Sequence, residues 1–137
     1  MKKILTFGVY DMLHIGHILL FKHAKELVEG ESQLTVAVQD GDFILKYKPG
    51  TNMIYTTDER LFMVSAVRYV DDVCTYRDVD EDIMHIDFDI FAKGPDQNHA
   101  GFQRAVKWCE EHGKEVVIIP RTEGISSTLL REYSKTK

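Results

Sequence analysis

Cysteine is scarce: Cys74 and Cys109 are the only two. Neither stands in a Cys-x-x-Cys or Cys/His spacing, which argues against a structural zinc site and suits buried thiols of a reducing compartment. Long apolar runs are missing as well. The N-terminal run ending at Val9 is too short for a signal peptide and is broken by Asp11. No stretch approaches the roughly 20 apolar residues of a membrane span, so a cytoplasmic chain with no membrane partner is expected. Positive charge is in deficit, with 17 Lys and Arg against 22 Asp and Glu and a net charge of −5. Without a Lys/Arg run, nucleic acid is not an expected partner, although a local basic pocket for phosphate can sit in an acidic protein. There is no internal repeat, low-complexity tract or linker. At 137 residues, one domain over 1–137 is expected, large enough to bury a core without staples.

What is present is strand–helix alternation. Apolar runs at 3–9, 33–38, 72–75, 89–93 and 115–119 predict strands. Helical spacing predicts helices over 16–28, 58–67, 78–85 and 102–112, with a closing helix over 126–134. Thr57 or Asp58 is a plausible cap, and Gly113 a fitting C-terminal stop. The order predicts an α/β fold on a parallel sheet with right-handed crossovers. Ligands of such sheets bind beyond the carboxyl ends of the strands, so the segments after Val9, Val38, Lys93 and Ile119 are the places to look.

The first of these runs Gly8-Val9-Tyr10-Asp11-Met12-Leu13-His14-Ile15-Gly16-His17 and opens a helix. A helix N-terminus offers free N–H groups and a positive partial charge, which suit phosphate. His14 and His17 share a face of the first turn, and Gly16 permits close approach of a ligand or neighbouring backbone. A single histidine here is more often a cap or surface residue, and two at this spacing could also bind a metal. The last segment runs Pro120-Arg121-Thr122-Glu123-Gly124-Ile125-Ser126-Ser127-Thr128. Arg121 presents a planar fork for phosphate oxygens, and the hydroxyl cluster begins another helix; alone, such a cluster is more often capping.

The first segment resembles the His-x-Gly-His signature of the nucleotidylyltransferase superfamily. The last resembles the more specific Arg-Thr-Glu-Gly-Ile-Ser-Ser/Thr-Thr motif of its cytidylyltransferase branch, which includes glycerol-3-phosphate and choline-phosphate cytidylyltransferases. The resemblance spans nearly the full chain and implies a Rossmann-like single domain, a parallel five-stranded sheet flanked by helices. It implies a transferase that joins CTP, with Mg²⁺, to glycerol 3-phosphate, and a homodimer. CDP-glycerol as product would point to cell-wall or capsule polymer synthesis. Other phosphorylated alcohols, ATP in place of CTP, a nucleotide-binding module without turnover and a flavodoxin-like interaction domain are the alternatives.

By the same resemblance, His14, His17, Lys46 and Arg121 are the expected catalytic residues. Phe7, Gly8, Val9, Tyr10, Gly16, Lys93, Asp96, Thr122, Ile125, Ser126, Ser127 and Thr128 are expected around the nucleotide. Asp11, Lys46 and Arg68 are expected near the acceptor, Asp11 otherwise fixing its loop by local hydrogen bonds. Lys46 and Lys48 otherwise read as a solvated loop, and Arg60 and Arg68 as surface ion pairs. No dedicated protein metal cage is visible. Two departures stand out. Pro95 and Gln97 replace the first Asp and the Trp of the family's Gly-Asp-Asp-Trp, ahead of a longer Asn98–Phe102 stretch, and Leu129 stands where many relatives have lysine.

Overall fold

The computed structural model describes residues 1–120. Strands β1 (Lys2–Gly8), β2 (Ser32–Gln39), β3 (Asp72–Tyr76), β4 (Ile90–Lys93) and β5 (Glu115–Ile118) form a parallel sheet in the order β3-β2-β1-β4-β5. Helices α1 (Ile15–Lys25), α2 (Gly41–Tyr47), α3 (Thr57–Ser65), α4 (Val79–Asp82) and α5 (Ala100–Glu111) lie between them. This is the parallel α/β sheet expected from the alternation, in the five-stranded Rossmann-like form that the resemblance implies. The chain winds outward from β1 to β3, then returns to place β4 against the other side of β1. That reversal opens a crevice beyond the ends of β1 and β4.

The two faces of the sheet carry separate cores. Ile4, Leu34, Val36 and Val38 pack with Phe21 and Ala24 of α1 and Val64 of α3. Leu5, Phe7, Ala37 and Phe91 pack with Val79 of α4 and with Phe102, Ala105 and Cys109 of α5. Neighbouring residues of β1 thus point to opposite cores, which is why its sequence is continuously apolar rather than alternating. Burial pushes the Cys109 thiol pKa up to about 11, so it is an inert packing group near neutral pH. Cys74 is only half-buried.

Several boundaries differ from expectation for local reasons. Thr56, rather than Thr57 or Asp58, caps α3, through a box in which its hydroxyl accepts the Glu59 N–H and Glu59 accepts the Thr56 N–H. The helix expected over 78–85 is one turn of α4 followed by a 3₁₀ turn, Ile83–His85. Gly113 ends α5 with φ +71°, and the Lys114 N–H returns to the Cys109 carbonyl at 2.9 Å, as a left-handed C-terminal stop requires. Lys46 lies in helix α2 rather than in a loop. Asp40 caps this helix, accepting from the Asp42 N–H at 2.9 Å, while the Gly41 N–H reaches Thr57 Oγ1 at 2.9 Å. The closing helix expected over 126–134 lies outside the described residues.

Asp71 ties three elements together. Its carboxylate accepts from Lys25 Nζ at 2.8 Å and from the Leu34 N–H at 2.7 Å. Desolvation alone would raise its pKa, but these two hydrogen bonds and the lysine charge outweigh it, and the pKa is lowered. A carboxylate with a depressed folded pKa stabilises above its unfolded value of about 3.9, and that contribution disappears as pH falls through the folded value. Asp71→Asn should therefore be less stable than the natural chain at pH 7. The gap between their urea midpoints should close below about pH 3.9. A gap of constant size down to pH 2 would assign the effect to something other than the carboxylate charge.

Candidate active site

The turn after β1 is built to hold two imidazoles. His14 caps α1, its Nδ1 accepting the Gly16 N–H at 3.0 Å, and His17 Nδ1 accepts the His14 N–H at 3.2 Å. This is a capping box made of histidines. The rings stack, with centroids 3.9 Å apart and planes at 25°. A ring nitrogen that accepts a hydrogen bond carries no proton, so each histidine is the Nε2–H tautomer. That form donates to a phosphoryl oxygen. Metal binding through Nε2 would require the proton to move to Nδ1, against a backbone N–H. The local bonds therefore favour the phosphate reading of this pair over the metal one.

Tyr10 supports the pair from behind. Its φ is +57°, which folds the ring back under the turn, where it is 6% exposed. The ring meets His17 edge-on at 5.2 Å and Phe21 at 5.4 Å. Gly8 must be glycine for this to occur, since a Cβ there would lie 2.4 Å from Tyr10 Cζ. The side chains of Tyr10 and Phe7 are thus core supports, and burial raises the Tyr10 pKa. The Phe7 carbonyl accepts from Gln97 Nε2 at 2.7 Å, while Gln97 Oε1 accepts the Gly94 N–H at 3.1 Å. The glutamine that replaces the family's tryptophan thus latches the loop after β4 onto the end of β1.

Lys93 ends β4, 6% exposed, with Nζ on Asn98 Oδ1 at 2.8 Å. Asp96 is exposed in the following loop. His14, His17, Gly8, Val9, Lys93 and Asp96 therefore gather at the carboxyl ends of the adjacent strands β1 and β4. Lys46 lies beyond the end of β2, its Nζ 5.4 Å over the Phe43 ring. Arg68 is not brought to this group within one chain. It is exposed and follows α3 just before the start of β3, where the Asp71 N–H bonds the Leu34 carbonyl, towards the opposite edge of the sheet. Arg121, Thr122, Ile125, Ser126, Ser127 and Thr128 lie outside the described residues.

Asp11 fixes a loop, but not a local one. Its oxygens accept the Ile54 N–H at 2.9 and 3.1 Å and the Tyr55 N–H at 2.9 Å, anchoring the segment between α2 and α3 beside the histidine turn.

Arg60 is the residue whose place sequence reasoning missed. It is fully buried rather than paired on a surface. One Nη1 donates to the carbonyls of Val9 at 2.9 Å and Gln39 at 2.7 Å, and Nη2 to Thr57 Oγ1 at 3.2 Å. Burial lowers its pKa, opposed by the carboxylates of Asp11 and Asp40. A guanidinium thus clamps the exits of β1 and β2. The available signal was its position one turn into a capped helix, one turn before Val64 on the same buried stripe.

A cleft of about 800 Å³ opens beside Gly8 and Val9, takes in Asp96 and Gln97 of the loop after β4, and runs over the ends of β2 and β3 to the starts of α4 and α5. Among the described residues no three His, Cys, Asp or Glu side chains converge to hold a metal ion, and no helix is long and apolar enough to cross a membrane.

Comparison with known proteins gives the family. The family model described as cytidylyltransferase-like matches residues 5–133. Glycerol-3-phosphate cytidylyltransferase of Bacillus subtilis (strain 168) is 35% identical over 135 residues, covering 96% of each chain. FAD synthase of Thermococcus kodakarensis is 35% identical over 126 residues, covering 86% of this chain and 79% of its own. The crystal structure of a lipopolysaccharide core biosynthesis protein from Thermoplasma volcanium superposes with a TM-score of 0.68 at 26% identity, covering 89% of this chain and 97% of that one. With an imidazole pair set to donate at the switch point of the sheet, the chain belongs to the cytidylyltransferase-like family of nucleotidyltransferases.

Proposed function

We propose that the chain transfers CMP from CTP to glycerol 3-phosphate, giving CDP-glycerol and pyrophosphate. The observation that carries the reading is the His14–His17 pair, locked by backbone bonds as two Nε2–H donors at the end of β1. Likeness over 96% of a glycerol-3-phosphate cytidylyltransferase supports the choice of substrates. The reaction breaks the bond between the α-phosphorus and the oxygen bridging to the β-phosphate. It forms a bond from an acceptor phosphate oxygen, in line and opposite the departing pyrophosphate. A phosphate monoester is already largely ionised near pH 7, so no general base is needed. Catalysis is then positioning and stabilisation of charge on the phosphoryl oxygens.

In this reading His14 and His17 donate to the α-phosphate, and Arg121 with Ser126, Ser127 and Thr128 holds the β- and γ-phosphates. Lys46 meets the acceptor phosphate, with Asp11 anchoring the loop beside it. Lys93 and Asp96 lie on the nucleotide side. Mg²⁺ accompanies the triphosphate, held by its oxygens and water rather than by a protein cage. A cytoplasmic homodimer working on these small molecules completes the proposal. Pyrophosphate release measured over a grid of CTP and ATP against glycerol 3-phosphate, phosphocholine and phosphoethanolamine tests it. CTP with glycerol 3-phosphate should be the fastest of these pairs. No release from any pair, despite nucleotide binding, would replace it with a binding module.

A further inference from the structure

We propose that Lys93 is kept as a buried cation without a counter-ion so as to meet a phosphoryl oxygen of the bound nucleotide, that Asn98 is its positioning residue, and that the chain gives up stability to hold this charge ready. The inference rests on the nucleotide-binding part of the reading above and deepens it.

Among the described residues two cations are buried, Arg60 and Lys93. Arg60 is compensated. Its guanidinium donates to three oxygens, and the carboxylates of Asp11 and Asp40 favour its charge. Lys93 is not. Its ammonium has three N–H donors and uses one, on the amide oxygen of Asn98 at 2.8 Å. No carboxylate among the described residues forms an ion pair with it. The positive end of α5, which begins at Ala100, adds to the local potential instead of offsetting it. A charge taken out of water with one neutral partner lowers stability, and an apolar side chain of similar length would pack there at less cost.

Asn98 is held so that its oxygen faces the lysine. Its Nδ2 donates to the Pro95 carbonyl, and its own carbonyl accepts from Gln103 Nε2 at 2.8 Å. With Nδ2 engaged, Oδ1 is the atom left for Nζ. His99, next along, lines the cleft and caps α5, its Nδ1 accepting the Gly101 N–H at 3.1 Å, which fixes the chain on the other side.

The place of the lysine in the sheet names the ligand. Leu5 pairs with Phe91 in parallel register, which carries Lys93 opposite Phe7, one residue before Gly8. Gln97 binds the Phe7 carbonyl at the same point. The ammonium therefore sits at the switch point between β1 and β4, where the histidine turn leaves the sheet. An anion arriving there supplies the counter-ion that the fold omits. A nucleoside triphosphate carries more negative charge than a phosphate monoester, which favours the nucleotide as its source.

Calorimetric titration with CTP and Mg²⁺, beside a melting curve without ligand, tests the inference. Lys93→Met keeps the stem and removes the charge. It should melt no lower than the natural chain and bind CTP at least about tenfold more weakly, the size of one charge-assisted hydrogen bond. Asn98→Asp supplies the missing counter-ion. It should melt higher and lose CTP affinity by a similar factor, and its gain in midpoint should vanish on a Lys93→Met background. A purely structural lysine predicts the reverse, a lower midpoint with CTP affinity intact. That result in Lys93→Met, or Asn98→Asp unchanged in both readouts, overturns the inference. If Lys93→Met both melts lower and binds worse, the Asn98→Asp midpoint decides, since that variant deletes nothing from the interior: a rise supports the inference and its absence overturns it. A loss confined to the KM for glycerol 3-phosphate also overturns it. CTP bound by the natural chain without pyrophosphate release from any acceptor would overturn the transfer reading and leave this inference standing; no binding of CTP would overturn both.

Discussion

His14→Ala and His17→Ala are each expected to lower turnover at least about a hundredfold while the chain still folds, the usual consequence of removing a donor that stabilises developing charge. Alanine at residue 14 also removes the cap on α1, a loss of about 1 kcal/mol in stability. The structure separates the two effects. His14→Asn keeps an oxygen able to accept the Gly16 N–H, and His17→Gln keeps one facing the His14 N–H, as a Ser/Thr-x-x-Gln box would. These two variants should recover the thermal midpoint and leave turnover low. The measurement is single-turnover pyrophosphate release beside a melting curve. If Asn at 14 and Gln at 17 restored activity together with stability, the histidines would be caps and nothing more.

Arg60→Met is expected to cost about 3 kcal/mol, because the carbonyls of Val9 and Gln39 each lose a charged donor in a buried setting. Replacing both members of a buried ion pair by apolar groups is often harmless. Here the partners are main-chain carbonyls, which no substitution removes, so only one side of the interaction is deleted. For a chain of this length the thermal midpoint should fall by about 10 °C. Arg60→Lys should rescue less than half, since a point-like ammonium cannot span two strand exits and Thr57 as the planar fork does. Because Val9 leads into the histidine turn, the KM for the nucleotide should rise as well. A midpoint shifted by less than about 2 °C in Arg60→Met would show that the clamp contributes little.

Much of the architecture was legible because it is local. Apolar runs, the glycine stop at Gly113 and the histidine turn depend on residues within one helical turn or one strand of each other. Helix α2 was legible in principle from Asp40 ahead of Phe43 and Ile44. It was missed because seven residues with two nearby lysines read as a polar loop. Asp11, Gln97 and Arg60 were not legible, since their partners lie 43, 90 and up to 51 residues away.

The sequence by itself determined the class of the fold, the place of the histidine turn and the membership that its two phosphate motifs announce, because period and spacing are written along the chain. Only the tertiary structure decided which side chains are buried supports and which stay open at the strand ends. It showed Tyr10 turned under His17, Arg60 sunk between two strand exits and His99 facing a cleft. Those outcomes depend on which surfaces meet when β4 returns beside β1, and pairing across that distance has no local signature.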